Sequence, residues 1–154
     1  MKLVIAVVGK PRDANLAGAI REYETRAARY WPLQIQEVRE EPARSGSADL
    51  VREREGERLL AALPTGAQIV ACDVIGKTMS SEQFAAWLQQ LRERARDVGI
   101  VIGGAYGLGD VVKQRATISL SLAPWTLPHE LARLVLAEQL YRAGTIGRGE
   151  PYHK

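Results

Sequence analysis

The sequence predicts an α/β fold, a mainly parallel sheet with helices on both faces, and three observations carry that prediction. Short runs rich in valine and isoleucine, ended by glycine or proline, recur along the chain. Between them lie longer stretches whose apolar residues repeat at helical spacing. The two patterns alternate throughout, with no internal repeat and no low-complexity segment. At 154 residues the chain suits one domain, residues 1–154, with roughly two thirds of its unfolded surface buried on folding.

Lys2–Val8 is an apolar run closed by Gly9 and Pro11 and reads as a buried strand. Asp13 then caps a helix in which Leu16, Ile20, Tyr23, Ala27 and Tyr30 form one stripe, and Trp31-Pro32 ends it. Leu33, Ile35 and Val38 give a second, weaker strand. The EEPARSGSAD segment after it has the composition of a mobile loop. Ser47 or Asp49 caps the next helix, carried by Leu50, Val51, Leu59, Leu60 and Leu63 and closed by Pro64, Thr65 and Gly66. Gln68–Cys72 is the third strand, with Asp73 at its carboxyl end. Ser80 and Gln83 form a capping-box pattern before a helix with Phe84, Trp87, Leu88 and Leu91 on one side.

Val98–Ile102 is the fourth strand, and it opens into a loop holding Gly103, Gly104, Gly107 and Gly109. Asp110 is placed to cap a short helix to Ala116, and Thr117–Leu122 supplies the fifth strand. Thr126, Leu127 and Pro128 start the last helix, since proline suits a first helical turn, and a polar tail runs from Gly147 to Lys154. Leu131, Leu134, Val135, Leu136 and Leu140, with Ala132, Ala137 and Ala143, surround nearly the whole axis of that helix. One sheet face covers one side, so a symmetric homodimer with this helix at its interface is expected.

Composition excludes several function classes. Hydrophobic residues at 46% and charged residues at 25% match soluble globular proteins, which argues against long disorder. The start, MKLVIAVVGKPRD, has only about six apolar residues in a row and no small-residue cleavage site, so neither signal peptide nor membrane span is expected and the expected location is cytoplasmic. Cys72 is the single cysteine and there are two histidines, so no internal disulfide and no bound metal are expected. Gly9-Lys10-Pro11 follows the first strand where a dinucleotide fingerprint would stand, and no GxxxxGK[ST] occurs. The net charge of +3 is mild, but Arg142, Arg148 and Lys154 face only Glu150 at the end of the chain. That balance suits a phosphate-bearing substrate or a plainly solvated surface.

Ligands of such sheets bind beyond the carboxyl ends of the strands, where Asp73, Gly103-Gly104 and the Ala123–Pro128 turn all fall. The glycines serve either close backbone approach to a ligand or positive φ in a tight turn. Asp73 accepts a ligand hydroxyl or caps its turn, and Cys72 is most simply a core residue. Glu138 and Arg142 stand four apart, which suits an intrahelical ion pair of a few tenths of a kcal/mol. Their place in so apolar a helix costs desolvation and points to function. His129 lies in the first helical turn, where a structural hydrogen bond suits it. His153, between Tyr152 and Lys154, is either a solvated tail residue or, joined with that aromatic ring and that cation, suits stacking on and hydrogen bonding to a nucleobase.

Seven runs then carry a resemblance: the Leu3–Gly9 start, Glu55-Gly56-Glu57, D-x-x-G-K at Asp73–Lys77, I-G-G-x-x-G-L at Ile102–Leu108, S-L-x-x-x-T-L-P-H at Ser121–His129, A-E-Q-L-Y-R-A at Ala137–Ala143 and the terminal P-Y-H-K. Over essentially its whole length the chain resembles the bacterial large-subunit (23S) ribosomal RNA pseudouridine-N3 methyltransferases of the SPOUT class. The resemblance implies S-adenosylmethionine as methyl donor, a homodimer, and a C-terminal trefoil knot through which the last helix is threaded. It places the donor against Cys72, Asp73, Gly103, Gly104, Ala123, Pro124, Trp125, Thr126, Leu127 and Pro128. On the acceptor side, Tyr152 and His153 are expected to hold or deprotonate the base, with Arg142 and Lys154 on phosphate or carbonyl oxygens and Glu138 orienting Arg142. His129 and Arg148 are expected to touch substrate. A chain this small is expected to borrow its partner's tail and to act on ribosomal RNA in the assembled ribosome. The alternatives are a SPOUT enzyme of transfer RNA or another RNA base, and a non-catalytic RNA-binding dimer.

Overall fold

The computed structural model describes the backbone of residues 1–154 and every side chain except that of Ser45. Five strands, β1 (Leu3–Val8), β2 (Leu33–Val38), β3 (Gln68–Lys77), β4 (Val98–Val101) and β5 (Ile118–Leu120), form one parallel sheet in the order β2-β1-β4-β3-β5. The helices are α1 (Ala14–Ala27), α2 (Ala48–Ala61), α3 (Ser81–Glu93), α4 (Asp110–Arg115) and α5 (His129–Gly147).

Alternation along β1 divides the core. Leu3, Ile5 and Val7 face one side with Ala27 at the end of α1, Trp31 beyond it, Phe84 and Leu88 of α3, and Leu136 and Leu140 of α5. Ala6 and Val8 face the other side with Leu59 of α2 and Val112 of α4. Helices therefore cover both faces, and the fully buried central strands read as near-continuous apolar runs, as parallel strands do. Asp13 accepts from the Asn15 and Leu16 N–H groups at the start of α1, and the Ser80/Gln83 capping box is complete.

The last helix lies between α1 and α3. Trp31 Nε1–H donates to the Leu140 carbonyl at 2.8 Å, and Gly144 admits the ring of Tyr30, whose Cγ would stand 2.3 Å from any β-carbon there. Two helices of the same chain thus cover much of the surface that pointed to a second copy. Leu131, Leu134 and Val135 remain half-buried.

Five features differ from expectation. The EEPARSGSAD segment is fastened at its start: Glu41 is buried and pairs with Arg54 at 2.8 Å and with Arg58, and a 3-10 turn, Ala43–Ser45, follows. Strand β3 continues to Lys77, because its pairing with Leu120 is broken after Cys72 and resumes at Lys77, so Asp73–Gly76 bulge from the ladder. Gly109, not Asp110, holds the cap position of α4, and Asp110 opens its first turn, where a carboxylate still suits the helix dipole. Helix α5 begins at His129 with Pro128 at its cap, since ψ of 143° keeps Pro128 extended. Strand β5 is shorter than expected, Ile118–Leu120.

Candidate functional site

Beyond the carboxyl ends of β3, β4 and β5 opens a cavity of about 1280 Å³. Cys72, Asp73 and Val74 line it from β3, the stretch from Ile102 to Gly109 from beyond β4, and Leu122, Ala123, Trp125, Thr126, Leu127 and Pro128 from beyond β5. Of the ten positions expected at a donor site, nine line this cavity and Pro124 does not. His129, expected on the substrate side, also lines it, because the first turn of α5 forms its floor.

The glycine loop owes its residues to crowding more than to backbone sign. A β-carbon on Gly103 would lie 2.5 Å from the Gly107 carbonyl carbon, and one on Gly104 would lie 2.8 Å from Glu55 Oε1. Gly107, with φ of +82°, donates its N–H to the Gly104 carbonyl at 3.0 Å and closes the loop on itself. Behind the loop, Glu55 is buried; its Oε2 accepts the Glu41 N–H at 3.0 Å, while Oε1 has no hydrogen-bond partner among the described residues. Burial pushes the Glu55 carboxyl above the usual carboxylate range.

Asp73 pairs with Lys113 at 3.2 Å and accepts the Ile75 N–H at 3.3 Å, so it both faces the cavity and caps the bulge. Burial pushes the Cys72 thiol up to about 12, which removes it as a nucleophile at neutral pH. The rim is unusually apolar for a protein surface: Val74, Tyr106 and Trp125 (80% exposed) line the mouth, and Ile75 (83% exposed) follows Val74 in the bulge.

The second cluster lies along α5 away from the cavity. Glu138 Oε1 accepts from Arg142 Nε and Nη2 at 3.1 and 2.6 Å and from the Tyr152 hydroxyl at 3.0 Å. The Arg142 guanidinium lies 4.8 Å from the Tyr152 ring centroid, and its Nη1 reaches His153 Nδ1 at 3.1 Å. His153 Nε2 stands 2.8 Å from Glu82 Oε1 of α3. Burial, then donation to Glu138, pushes the Tyr152 hydroxyl up to about 12. Hydrogen bonding to Glu138 raises Arg142 further, so it stays charged.

The four residues expected to be catalytic are thus brought together, in one network. Arg148 instead lies over the Tyr30 ring at 4.5 Å and donates to the Arg29 carbonyl, and Lys154 is exposed at the terminus. Among the described residues, none that lines the cavity follows Ala132. With a rise of 1.5 Å per residue, Glu138 and Arg142 stand about 9 and 15 Å along α5 from Ala132. Tail and cavity are therefore two separate places in one chain.

Sequence reasoning missed Glu82, whose link to the tail joins positions 71 residues apart, and Arg133, which pairs with Glu24 at 2.7 Å and Glu37 at 2.8 Å while itself buried. An arginine between Ala132 and Leu134 inside an apolar helix was the available signal for the second. Among the described residues no group of three or more His, Cys, Asp or Glu is placed to hold a metal, and no helix is long and apolar enough to cross a membrane.

The chain is similar to known proteins over its full length. The family model described as "Predicted SPOUT methyltransferase" matches residues 1–153. "Ribosomal RNA large subunit methyltransferase H" of Gemmatimonas aurantiaca is 66% identical over 154 residues, covering all of both chains. The protein of the same name from Syntrophotalea carbinolica is 44% identical, covering 99% of each. Among solved structures, TrmJ from Z. mobilis aligns over 100% of this chain and 73% of its own, with 18% identity and a TM-score of 0.53. A probable methylase family protein from Haemophilus influenzae aligns over 99% of this chain and 70% of its own, with 12% identity and a TM-score of 0.56. At those identities the structural likeness speaks for the fold.

Proposed function

The chain belongs to the SPOUT methyltransferase family, and from that premise we propose that it transfers the methyl group of S-adenosylmethionine to N3 of a pseudouridine in large-subunit ribosomal RNA. The observation that carries this reading is the single cavity that unites the ends of β3, β4 and β5. The donor bears an ammonium and a sulfonium against one carboxylate. Four carboxylates (Asp49, Glu53, Asp73, Asp110) line the cavity against two cations, Arg52 and Lys113, which complements that charge. Backbone groups of the glycine loop and of residues 123–128 are left to recognise the adenine by hydrogen bonds and shape.

When bound, the donor supplies an electrophilic methyl carbon. As the N3–C bond forms and the C–S bond breaks, the N3 proton must leave. The enzyme's task is to align the two reactants and help that proton depart. Tyr152 and His153 hold the base, Arg142 stays charged and faces its carbonyl or phosphate oxygens, and Glu138 fixes Arg142. No metal is needed for this step.

The tail's partners on α5, Glu138 and Arg142, lie about 9–15 Å along the helix from Ala132, the last residue lining its own cavity, so a second copy brings its tail to that cavity. The exposed apolar residues Val74, Ile75, Tyr106 and Trp125, with the half-buried Leu131, Leu134 and Val135, supply the surface for such a homodimer. The last helix then enters the interface, threaded through the knot that the family likeness implies. Ribosomal RNA is the partner, and the cytoplasm, where ribosomes are, is the place of action.

One assay tests the reaction. Large ribosomal subunits from a strain lacking this protein, incubated with the protein and isotopically labelled donor, gain one methyl on a pseudouridine that mass spectrometry of 23S fragments locates. Label in transfer RNA, or at a different base, would replace this substrate. Sedimentation at micromolar concentration checks the assembly, where a monomer refutes the shared site.

A further inference from the structure

The geometry points to Glu82, on α3, as a positioning residue for His153, an inference that rests on the tail's proposed place at the acceptor. A guanidinium carries donors and no acceptor. Arg142 Nη1 lies 3.1 Å from His153 Nδ1, so Nδ1 presents its lone pair and the ring proton resides on Nε2. That nitrogen stands 2.8 Å from Glu82 Oε1, which accepts the proton. Each side of the ring is thereby assigned, and the imidazole is fixed as the Nε2–H tautomer. Donation from His153 also holds the exposed Glu82 carboxyl below the usual carboxylate range.

Around the ring stand Arg142 of α5, Glu82 of α3 and the chain neighbours Tyr152 and Lys154. Without Glu82 the proton is free to occupy Nδ1, where it confronts the Arg142 guanidinium, and ring and cation separate. Because Arg142 also binds Glu138, which holds the Tyr152 hydroxyl, a displaced ring disturbs the entire acceptor cluster. Glu82 therefore acts on the reaction through His153 without touching substrate. Its own helix start keeps the reciprocal Ser80/Gln83 capping box when Glu82 is replaced, although Glu82 is the first-turn carboxylate of α3 and also meets Ser80.

With two histidines in the chain, a long-range 1H–15N spectrum of the imidazoles is readable, and His153→Gln assigns it. The native protein should show His153 protonated on Nε2 and bare on Nδ1. In Glu82→Ala the two nitrogens should shift toward mixed tautomers. In Glu82→Gln, whose amide oxygen still accepts, the native pattern should return. Turnover should follow the spectrum: Glu82→Ala lowers kcat about tenfold, far less than the roughly 10⁴-fold lost at a buried orienting carboxylate, with donor Kd unchanged, and Glu82→Gln restores it. An unaltered spectrum in Glu82→Ala overturns the proposal, as does an altered spectrum with unchanged kcat while His153→Gln is inactive. Full turnover by His153→Gln would instead sink the tail's role at the acceptor, and the spectrum would still decide whether Glu82 sets the tautomer.

Discussion

The two ends of α5 are made of opposite materials. At its start the cavity wall is backbone: Gly103 and Gly104 leave no room for a β-carbon, and Gly107 closes the loop through its own N–H. Toward its other end the cluster is all side chains, Glu138, Arg142, Tyr152, His153 and Glu82 in one hydrogen-bonded run. A backbone wall gives shape and tolerates little change; a side-chain network gives charge and proton chemistry, and each group in it can be removed singly. Holding a donor and reacting with an acceptor should therefore fail separately.

The largest effect should come from the tail. Deleting Pro151–Lys154 removes Tyr152 and His153 together and should reduce methyl transfer by more than about 10²-fold, the span of one positioned acid–base group. Donor affinity by calorimetry should stay within about twofold, since no tail residue lines its own cavity. A parallel loss of donor binding would join the two ends into one functional unit. Next in size, Gly104→Leu should weaken the donor at least about tenfold, or 1.4 kcal/mol. Its β-carbon meets Glu55 Oε1 at 2.8 Å and Val8 at 3.3 Å, so the loop must shift. The Tyr152–Glu138–Arg142 network should stay intact in the same variant, and unchanged affinity would place the donor elsewhere.

What was legible in the sequence follows the same division. Periodicity and caps placed all five strands and five helices, because burial of β1 on both faces and the Asp13 and Ser80 caps are local facts written in local residues. The three strand-end segments were legible as a site because a parallel sheet brings its carboxyl ends together. Partners chosen at long range were not. Glu41 with Arg54 and Arg58, Arg133 with Glu24 and Glu37, and His153 with Glu82 depend on which helices pack side by side. The bulge at Asp73–Gly76 escaped notice for a similar reason, since it is set by β5 pairing twice through Leu120. Likewise, α1 and α3 cover much of an apolar α5, and the exposed apolar surface stands at the cavity rim.

Between the two ends stands Arg133, the buried cation of α5, shared by Glu24 of α1 and Glu37 of β2. Burial acts against its charge and both carboxylates favour it, and the balance raises its pKa. Arg133→Met should destabilise the fold by about 3 kcal/mol, because breaking a buried pair leaves carboxylates uncompensated. The thermal midpoint should fall by about 10 °C. Residual folded protein should keep both the donor site and the tail cluster, since Arg133 belongs to neither. A change in donor affinity without a loss of stability would show that the middle of the helix couples them.

The smallest effect should be the most specific to the cavity end. Glu55 sits behind Gly104 with Oε1 unpartnered, and its carboxyl is raised above the ordinary value of 4.5 by burial, against the opposing Glu41 N–H. A raised folded-state pKa means that the folded protein binds the proton more tightly than the unfolded chain. This contribution is fully present below the unfolded value and is lost as pH rises through the folded one. Above that window the buried carboxylate is a standing cost. Glu55→Gln removes the ionisation while its amide oxygen can still accept the Glu41 N–H. The variant should match the native protein's thermal midpoint at pH 4 and exceed it at pH 7, the gap opening with pH. The tail cluster, a long helix away, should be indifferent to the change, and kcat at saturating donor should stay within about twofold. A midpoint difference that is the same at both pH values would mean that Glu55 is ionised throughout, and the glycine loop would then rest on a buried charge.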